Sequence, residues 1–89
     1  MKGYLVEFLG SLLFVYVILA TGNPLAIGAA LSLVILLTKD ISGGHINPAV
    51  TIAMVSAGKI QTNELIPYVM AQVLGALVAL EIYKRVKIY

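Results

Sequence analysis

The sequence predicts an all-α membrane protein with three transmembrane helices and one re-entrant half-helix. Of its 89 residues, 61% are hydrophobic and 11% are charged, whereas soluble domains carry about 25% charged residues. Apolar runs of membrane-helix length lie on both sides of a polar stretch, SGGHINPAVT, at residues 42–51. We expect residues 1–89 to form one domain in a membrane that the chain crosses several times.

The first span is predicted over residues 3–21 and contains an acidic residue, Glu7. A carboxylate inside a membrane span is costly unless it faces protein or water. Glu7 is therefore either a residue near the lipid headgroups or a buried acceptor for backbone N–H groups of the polar stretch. A signal peptide is the competing interpretation of this segment, but the apolar run is long for one and contains Glu7.

The second span is predicted over residues 25–38. Asn23 before it is a favourable N-cap, and Pro24 falls at the first helical position, where no N–H is needed. This run is short for a bilayer, because a helix rises about 1.5 Å per residue.

The third span is predicted over residues 65–83, with Thr62 or Asn63 as its N-cap. Small residues recur in it every four positions, which allows another helix to approach closely. They are Ala71, Gly75 and Ala79. Gln72 within this span either hydrogen-bonds to a neighbouring helix or contacts a solute.

Between the second and third spans, residues 40–57 are predicted to form a re-entrant loop and a half-helix. Asn47 is the N-cap of this helix and Pro48 its first residue, so that the helix covers about residues 48–57. A helix of this length cannot cross a bilayer, which takes about 20 residues. Half-length helices that follow non-helical backbone build sites at the middle of a membrane.

Several other kinds of site are not supported. The chain has no cysteine and one histidine, His45, with no carboxylate at a ligand-like spacing, so no metal site is predicted. Ser42 and His45 lack an acid partner, and the glycines follow neither a Walker nor a dinucleotide pattern. We expect no enzyme activity and no cofactor. Basic residues at the segment ends favour a lipid bilayer as partner rather than nucleic acid.

The polar stretch resembles the first Asn-Pro-Ala repeat of the aquaporin and aquaglyceroporin family, the major intrinsic proteins. Residues 7–10, EFLG, resemble the family's first-helix Glu motif, and residues 71–76, AQVLGA, resemble its third-helix motif. The resemblance covers essentially the whole chain. It implies one N-terminal-type half-repeat of an aquaporin-like fold, in which family members carry two inverted halves.

The resemblance implies a passive channel for water or small neutral solutes such as glycerol, and it assigns roles to residues. The implied pore residues are Gly43, Gly44, His45, Ile46, Asn47, Pro48 and Ala49. Ile27 and Val50 occupy the positions of the selectivity filter, where the family commonly has an aromatic residue or His and, in its second half, an Arg. Glu7 and Gln72 are implied to support the re-entrant loop.

One half-repeat cannot enclose a pore, so we expect two copies. The positive residues divide evenly between the two sides of the predicted topology. On one side are Lys2, Lys39 and Lys59, and on the other are Lys84, Arg85 and Lys87. An excess of positive charge on one side normally fixes the orientation of a membrane protein. The equal numbers here predict dual topology, in which copies insert in both orientations, and an antiparallel homodimer. If the family's usual group of four pores applies, the assembly would contain eight chains.

Two alternative functions stay open at this point. A small dual-topology transporter would need a carboxylate in the membrane, for which Glu7 is the candidate. A non-conducting half-channel that packs against a full-length channel is the second alternative.

Overall fold

The computed structural model describes residues 2–86, without the side chain of Lys2. Over this range the chain is helical and forms no strand. Its elements are α1 (Lys2–Thr21), α2 (Pro24–Thr38), α3 (Pro48–Ser56), a 3-10 turn (Thr62–Glu64) and α4 (Leu65–Arg85). Lys87, one of the six positive residues compared in the sequence analysis, lies outside the described residues.

Two of these helices are long and apolar enough to cross a membrane, judged by length and composition. They are Gly3–Thr21, with a mean hydropathy of 2.0, and Thr62–Arg85, with 1.9. The predicted second span corresponds to α2, which has 15 residues and is therefore about 22 Å long. The molecule measures 40 Å along its longest axis, against about 30 Å for the hydrocarbon core of a bilayer.

Helices α1 and α4 run parallel and pack closely at Gly75. A Cβ atom added there would lie 2.4 Å from the carbonyl oxygen of Phe8 and 3.2 Å from the backbone nitrogen of Leu12. Ala71 and Ala79, one turn away on either side, are also buried. The stripe of small residues therefore brings the backbones of the two helices into contact, as its spacing predicts.

Helix α2 runs antiparallel to α1 and packs against its other side, near Gly10. A Cβ atom at Gly10 would lie 2.8 Å from Val34 Cγ1 in α2 and 2.7 Å from Ile46 Cδ1 in the loop before α3. This glycine leaves the space that both side chains occupy.

The two Asn-Pro starts are confirmed as helix caps. Asn23 Oδ1 accepts hydrogen bonds from the backbone N–H groups of Leu25 and Ala26, and Asn47 Oδ1 accepts one from Ala49.

The predicted cap of the third span was wrong, because no side chain of the turn caps α4. Thr62 and Asn63 belong to the 3-10 turn, which runs directly into the helix as Leu65 N–H bonds to Thr62 O. Glu64, the last residue of the turn, instead accepts hydrogen bonds from the Tyr4 hydroxyl, at 2.9 and 3.0 Å from its two oxygens.

The packing at Gly75 generates a stability prediction. Gly75→Ala should destabilise the fold by about 1–3 kcal/mol or more, because the added methyl group meets rigid backbone and overpacking costs that much. Thermal unfolding in detergent measures the effect. Gly28→Ala is the matched control, since no atom lies within 4 Å of a Cβ there. Equal unfolding temperatures for the two variants would contradict the proposed close packing of α1 and α4.

Candidate functional site

The site is built around the buried carboxylate of Glu7, whose side chain is 0% exposed. Its Oε2 accepts hydrogen bonds from Ser42 Oγ at 2.6 Å and from His45 N at 3.0 Å. Its Oε1 accepts from Ile46 N at 2.8 Å and from Gln72 Nε2 at 2.9 Å. All four partners are donors, which matches the acceptor-only chemistry of a carboxylate. The structure thus places Glu7 inside the protein, where it holds the loop to α1 and α4.

The loop backbone has an uneven hydrogen-bonding pattern. Its N–H groups are paired: Gly43 bonds to Lys39 O at 3.1 Å, Gly44 to Ser42 Oγ at 3.2 Å, and the next two to Glu7. The carbonyl groups of residues 43–45 accept no hydrogen bond from any part of the chain that the structure describes. Three consecutive acceptors are therefore unpaired within the described chain, of which Gly43 is exposed and Gly44 and His45 are buried.

Unusual backbone angles produce this arrangement. Gly43 and Gly44 have φ angles of 90° and 63°, and Ile46 has a φ angle of 61°. A β-branched residue rarely adopts a positive φ, so the surroundings must hold Ile46 in place. Ser11 Oγ donates a hydrogen bond to the carbonyl oxygen of Ile46 at 3.4 Å. The side chain of Ile46 fills the space left by Gly10.

Thr51 joins Gln72 to the loop, and the sequence analysis did not identify it. It is 0% exposed, and its Oγ1 lies 2.8 Å from Gln72 Nε2 and 2.9 Å from His45 Nδ1. Thr51 lies one helical turn after Asn47, and a polar residue on the inner face of an apolar half-helix is the signal that could have found it.

Tyr68 also contacts the loop and was missed. Its hydroxyl donates to Ser42 O at 2.9 Å, and its ring centroid lies 5.0 Å from that of His45. Tyr68 lies four positions before Gln72 and so on the same face of α4, which is the only hint that the sequence offers.

Asn47 and Pro48, with Ala49, form the tip of the loop, which we call the Asn47 tip. Ser11, bonded to the residue before the tip, is at the middle of α1, so the tip reaches about halfway along that helix. Asn47 is exposed, and its Oδ1 caps α3 through Ala49 N at 2.8 Å. Its Nδ2 group has no partner among the described residues. The tip thus offers an N–H donor together with the positive end of the α3 dipole.

The two predicted filter residues do not meet within one chain. Ile27 lies in the first turn of α2, at the end of the molecule where α1 finishes. Val50 lies in α3, which runs from the tip towards the end where α1 begins. Both are half-buried.

Residues 2–86 contain no group of three or more His, Asp or Glu side chains that could hold a metal ion. The arrangement around the loop is one of hydrogen-bond donors and acceptors, which suits binding and release of polar solutes.

Comparison with known proteins gives one family. The family model described as Major intrinsic protein matches residues 1–88. Glycerol uptake facilitator protein-like 6 of Lactiplantibacillus plantarum is 44% identical over 88 residues, and the match covers 89% of this chain and 41% of the relative. Aquaporin PIP2-7 of Musa acuminata is 34% identical, with 96% of this chain and 37% of the relative covered. Aquaporin-8 of Notomys alexis is 39% identical, with 91% of this chain and 35% of the relative covered.

The chain therefore spans about two fifths or less of the length of these relatives. No solved structure matches it significantly.

The central role of Glu7 generates a second prediction. Glu7→Gln should destabilise the fold by about 2 kcal/mol or more. The substitution replaces one carboxylate oxygen with an N–H₂ group, so the N–H or O–H donors that bond to that oxygen lose their acceptor. Hydrogen–deuterium exchange should rise at residues 45 and 46, whose N–H groups bond to Glu7.

Glu81→Gln is the matched control, since Glu81 forms exposed ion pairs with Lys84 and Arg85, which contribute little. Unchanged exchange in Glu7→Gln would show that the loop holds its shape without the carboxylate.

Proposed function

The chain belongs to the major intrinsic protein family, and from this premise we propose that it forms half of a passive channel for water and small neutral solutes such as glycerol. The family's members are membrane channels, and the matched relatives are named as aquaporins or as a glycerol uptake facilitator. The observation that carries the proposal is the row of unpaired carbonyls at residues 43–45, next to the free amide of Asn47.

Conduction follows from this juxtaposition of acceptors and a donor. A solute hydroxyl donates to the carbonyls in turn, and its oxygen accepts from Asn47 Nδ2 at the tip. Hydrogen bonds to the protein replace hydrogen bonds to water, so neutral polar solutes pass at little cost. A cation is repelled at the tip, where the end of the α3 dipole is equivalent to about half a positive elementary charge.

A second copy in the opposite orientation completes the pore. The loop and α3 accompany only half of the length of α1 and α4, because the Asn47 tip ends midway. A two-fold axis in the membrane plane would place the partner's loop along the other half and rebuild an inverted repeat. The unit is then an antiparallel homodimer in the lipid bilayer. Several such dimers would associate if this chain follows the family in grouping four pores.

The charge distribution is compatible with insertion in both orientations. Lys39 and Lys59 lie at the end where α1 begins, and Lys84 and Arg85 at the end where α4 finishes. In the sequence, Lys2 and Lys87 add one positive residue to each end. With three positive residues at each end, no excess of positive charge fixes the orientation of the chain.

The same symmetry assembles the selectivity filter. Inversion brings Val50 of the partner copy to the end of the molecule that carries Ile27, so each filter combines one residue from each chain. Both side chains are apolar and uncharged, which predicts weak discrimination between water and glycerol. Exclusion of protons depends on the two half-helix dipoles.

The transporter alternative has less support than the channel. Four donors occupy the oxygens of Glu7, so the carboxylate serves the loop rather than a moving solute. The third hypothesis, a non-conducting half that packs against a full-length channel, differs from our proposal in one respect: the pure protein would not conduct.

Stopped-flow shrinkage of liposomes that hold the purified protein tests the proposal. We expect fast water and glycerol permeation with a low activation energy, reduced at least tenfold in Asn47→Asp. This substitution keeps the Oδ1 cap but removes the Nδ2 donor and adds negative charge where solutes pass.

Asn23→Asp is the matched control, because Asn23 caps α2 through the same kind of Asn-Pro start at the surface. Wild-type liposomes no more permeable than empty ones would contradict the channel proposal.

A further inference from the structure

We propose that a groove between α1 and α2 binds one phospholipid of the surrounding bilayer, with an acyl chain in the groove and an ammonium-bearing headgroup at its rim. The groove, which we call the outer groove, has a volume of about 220 Å³. Its main lining side chains are Val6, Leu9 and Leu13 from α1, Val34 and Leu37 from α2, and Ile41 from the turn that follows. The inference goes beyond the proposed channel and depends only on the chain lying in a membrane.

The outer groove lies on the side of α1 that is turned away from the Asn47 tip. Ser11 faces the tip, since its hydroxyl bonds to Ile46 O. Leu9 and Leu13 are each two positions from Ser11, which is about 200° around an α-helix. A second copy that covers the tip side of α1 therefore leaves the outer groove open.

The interior of the outer groove is apolar and elongated. Thr38, the polar residue in its lining, donates its hydroxyl hydrogen to Val34 O at 2.7 Å. The groove follows α1 from Val6 to Leu13, a distance of about 10 Å along the helix. Leu37 at its edge is 64% exposed, so the groove is open along its side. A flexible hydrocarbon chain fits such a slot better than a polar solute does.

Two charged residues lie at the rim of the groove, deeper in the molecule than the start of α1. Lys39 and Asp40 are exposed and occupy the turn between Thr38 and Ile41, both of which line the groove. This turn is level with residues 6–10 of α1, about 6–12 Å along the helix from its first residue. Among the described side chains, neither Lys39 nor Asp40 forms an ion pair. Charges at this depth are costly unless headgroups or water reach them.

A zwitterionic headgroup matches this pair of charges. Lys39 has three N–H donors for a phosphate group, and Asp40 has acceptors for an ammonium group. The long side chain of Lys39 can reach the bilayer surface by itself, but the short side chain of Asp40 cannot. Because α2 has only 15 residues, the bilayer is expected to thin beside it, which brings headgroups to this level. A primary ammonium donates hydrogen bonds to Asp40, whereas a choline headgroup has no N–H to donate.

Fluorescence quenching by brominated lipids tests the site, and the chain has no tryptophan of its own. Leu37→Trp places a reporter at the groove. Leu36→Trp is the matched control, because Leu36 lies at nearly the same depth but outside the groove and is 65% exposed, against 64% for Leu37. Each variant is reconstituted in phosphatidylcholine vesicles that contain a minor fraction of phosphatidylethanolamine with brominated acyl chains. We expect at least threefold stronger quenching in Leu37→Trp than in Leu36→Trp.

The role of the two charges is tested in the Leu37→Trp background. Lys39→Gln and Asp40→Asn should each remove the excess quenching. Lys59→Gln, an exposed position at the same end of the molecule but outside the groove, should keep it. Brominated phosphatidylcholine should quench the two reporters equally, because it cannot donate to Asp40.

Three results would contradict the proposal. Equal quenching of the two reporters by brominated phosphatidylethanolamine would show that the groove holds no preferred lipid. Stronger quenching by brominated phosphatidylglycerol, an anionic lipid, would overturn the assignment of an ammonium headgroup. A reporter at residue 37 that no brominated lipid quenches would show that another protein chain covers the groove. These outcomes do not depend on permeability, so failure of the lipid site and failure of the proposed channel are separate results.

Discussion

The carboxylate of Glu7 makes it feasible to place non-helical backbone inside an apolar molecule. Backbone N–H groups outside a helix are costly in a membrane, because no water is present to satisfy them. Two N–H groups of the loop, one serine hydroxyl and one glutamine amide converge on this single buried side chain. The loop therefore needs no helix or strand to pair its donors.

One consequence is the separation of donors from acceptors along the loop. Since the N–H groups at residues 43–46 point to internal partners, the carbonyls of residues 43–45 are left without a partner in the described chain. The strained φ angle of Ile46 belongs to the same arrangement, and the space at Gly10 accommodates its side chain. Hydrogen bonding, helix packing and backbone strain thus act together to present the proposed pore surface.

Features governed by local chemistry were predictable from the sequence. The helices at the two Asn-Pro starts follow from capping and from the fixed φ of proline, and the contact at Gly75 follows from the spacing of small residues. Position on a helix face hints at Thr51 and Tyr68, but the partners of these residues and of Tyr4 depend on how the helices and the loop align, which no local pattern specifies. In place of the expected cap, a 3-10 turn leads into α4, and its last residue, Glu64, is hydrogen-bonded to Tyr4.

The central claim is that the pore arises between two oppositely oriented copies of one chain. It is tested most directly with two variants, one with two lysines added at the end where α1 begins and one with two added where α4 finishes. Each should insert in one orientation only. Our account predicts that neither variant alone raises the water permeability of cells and that co-expression restores it. Full permeability from either variant alone would contradict it.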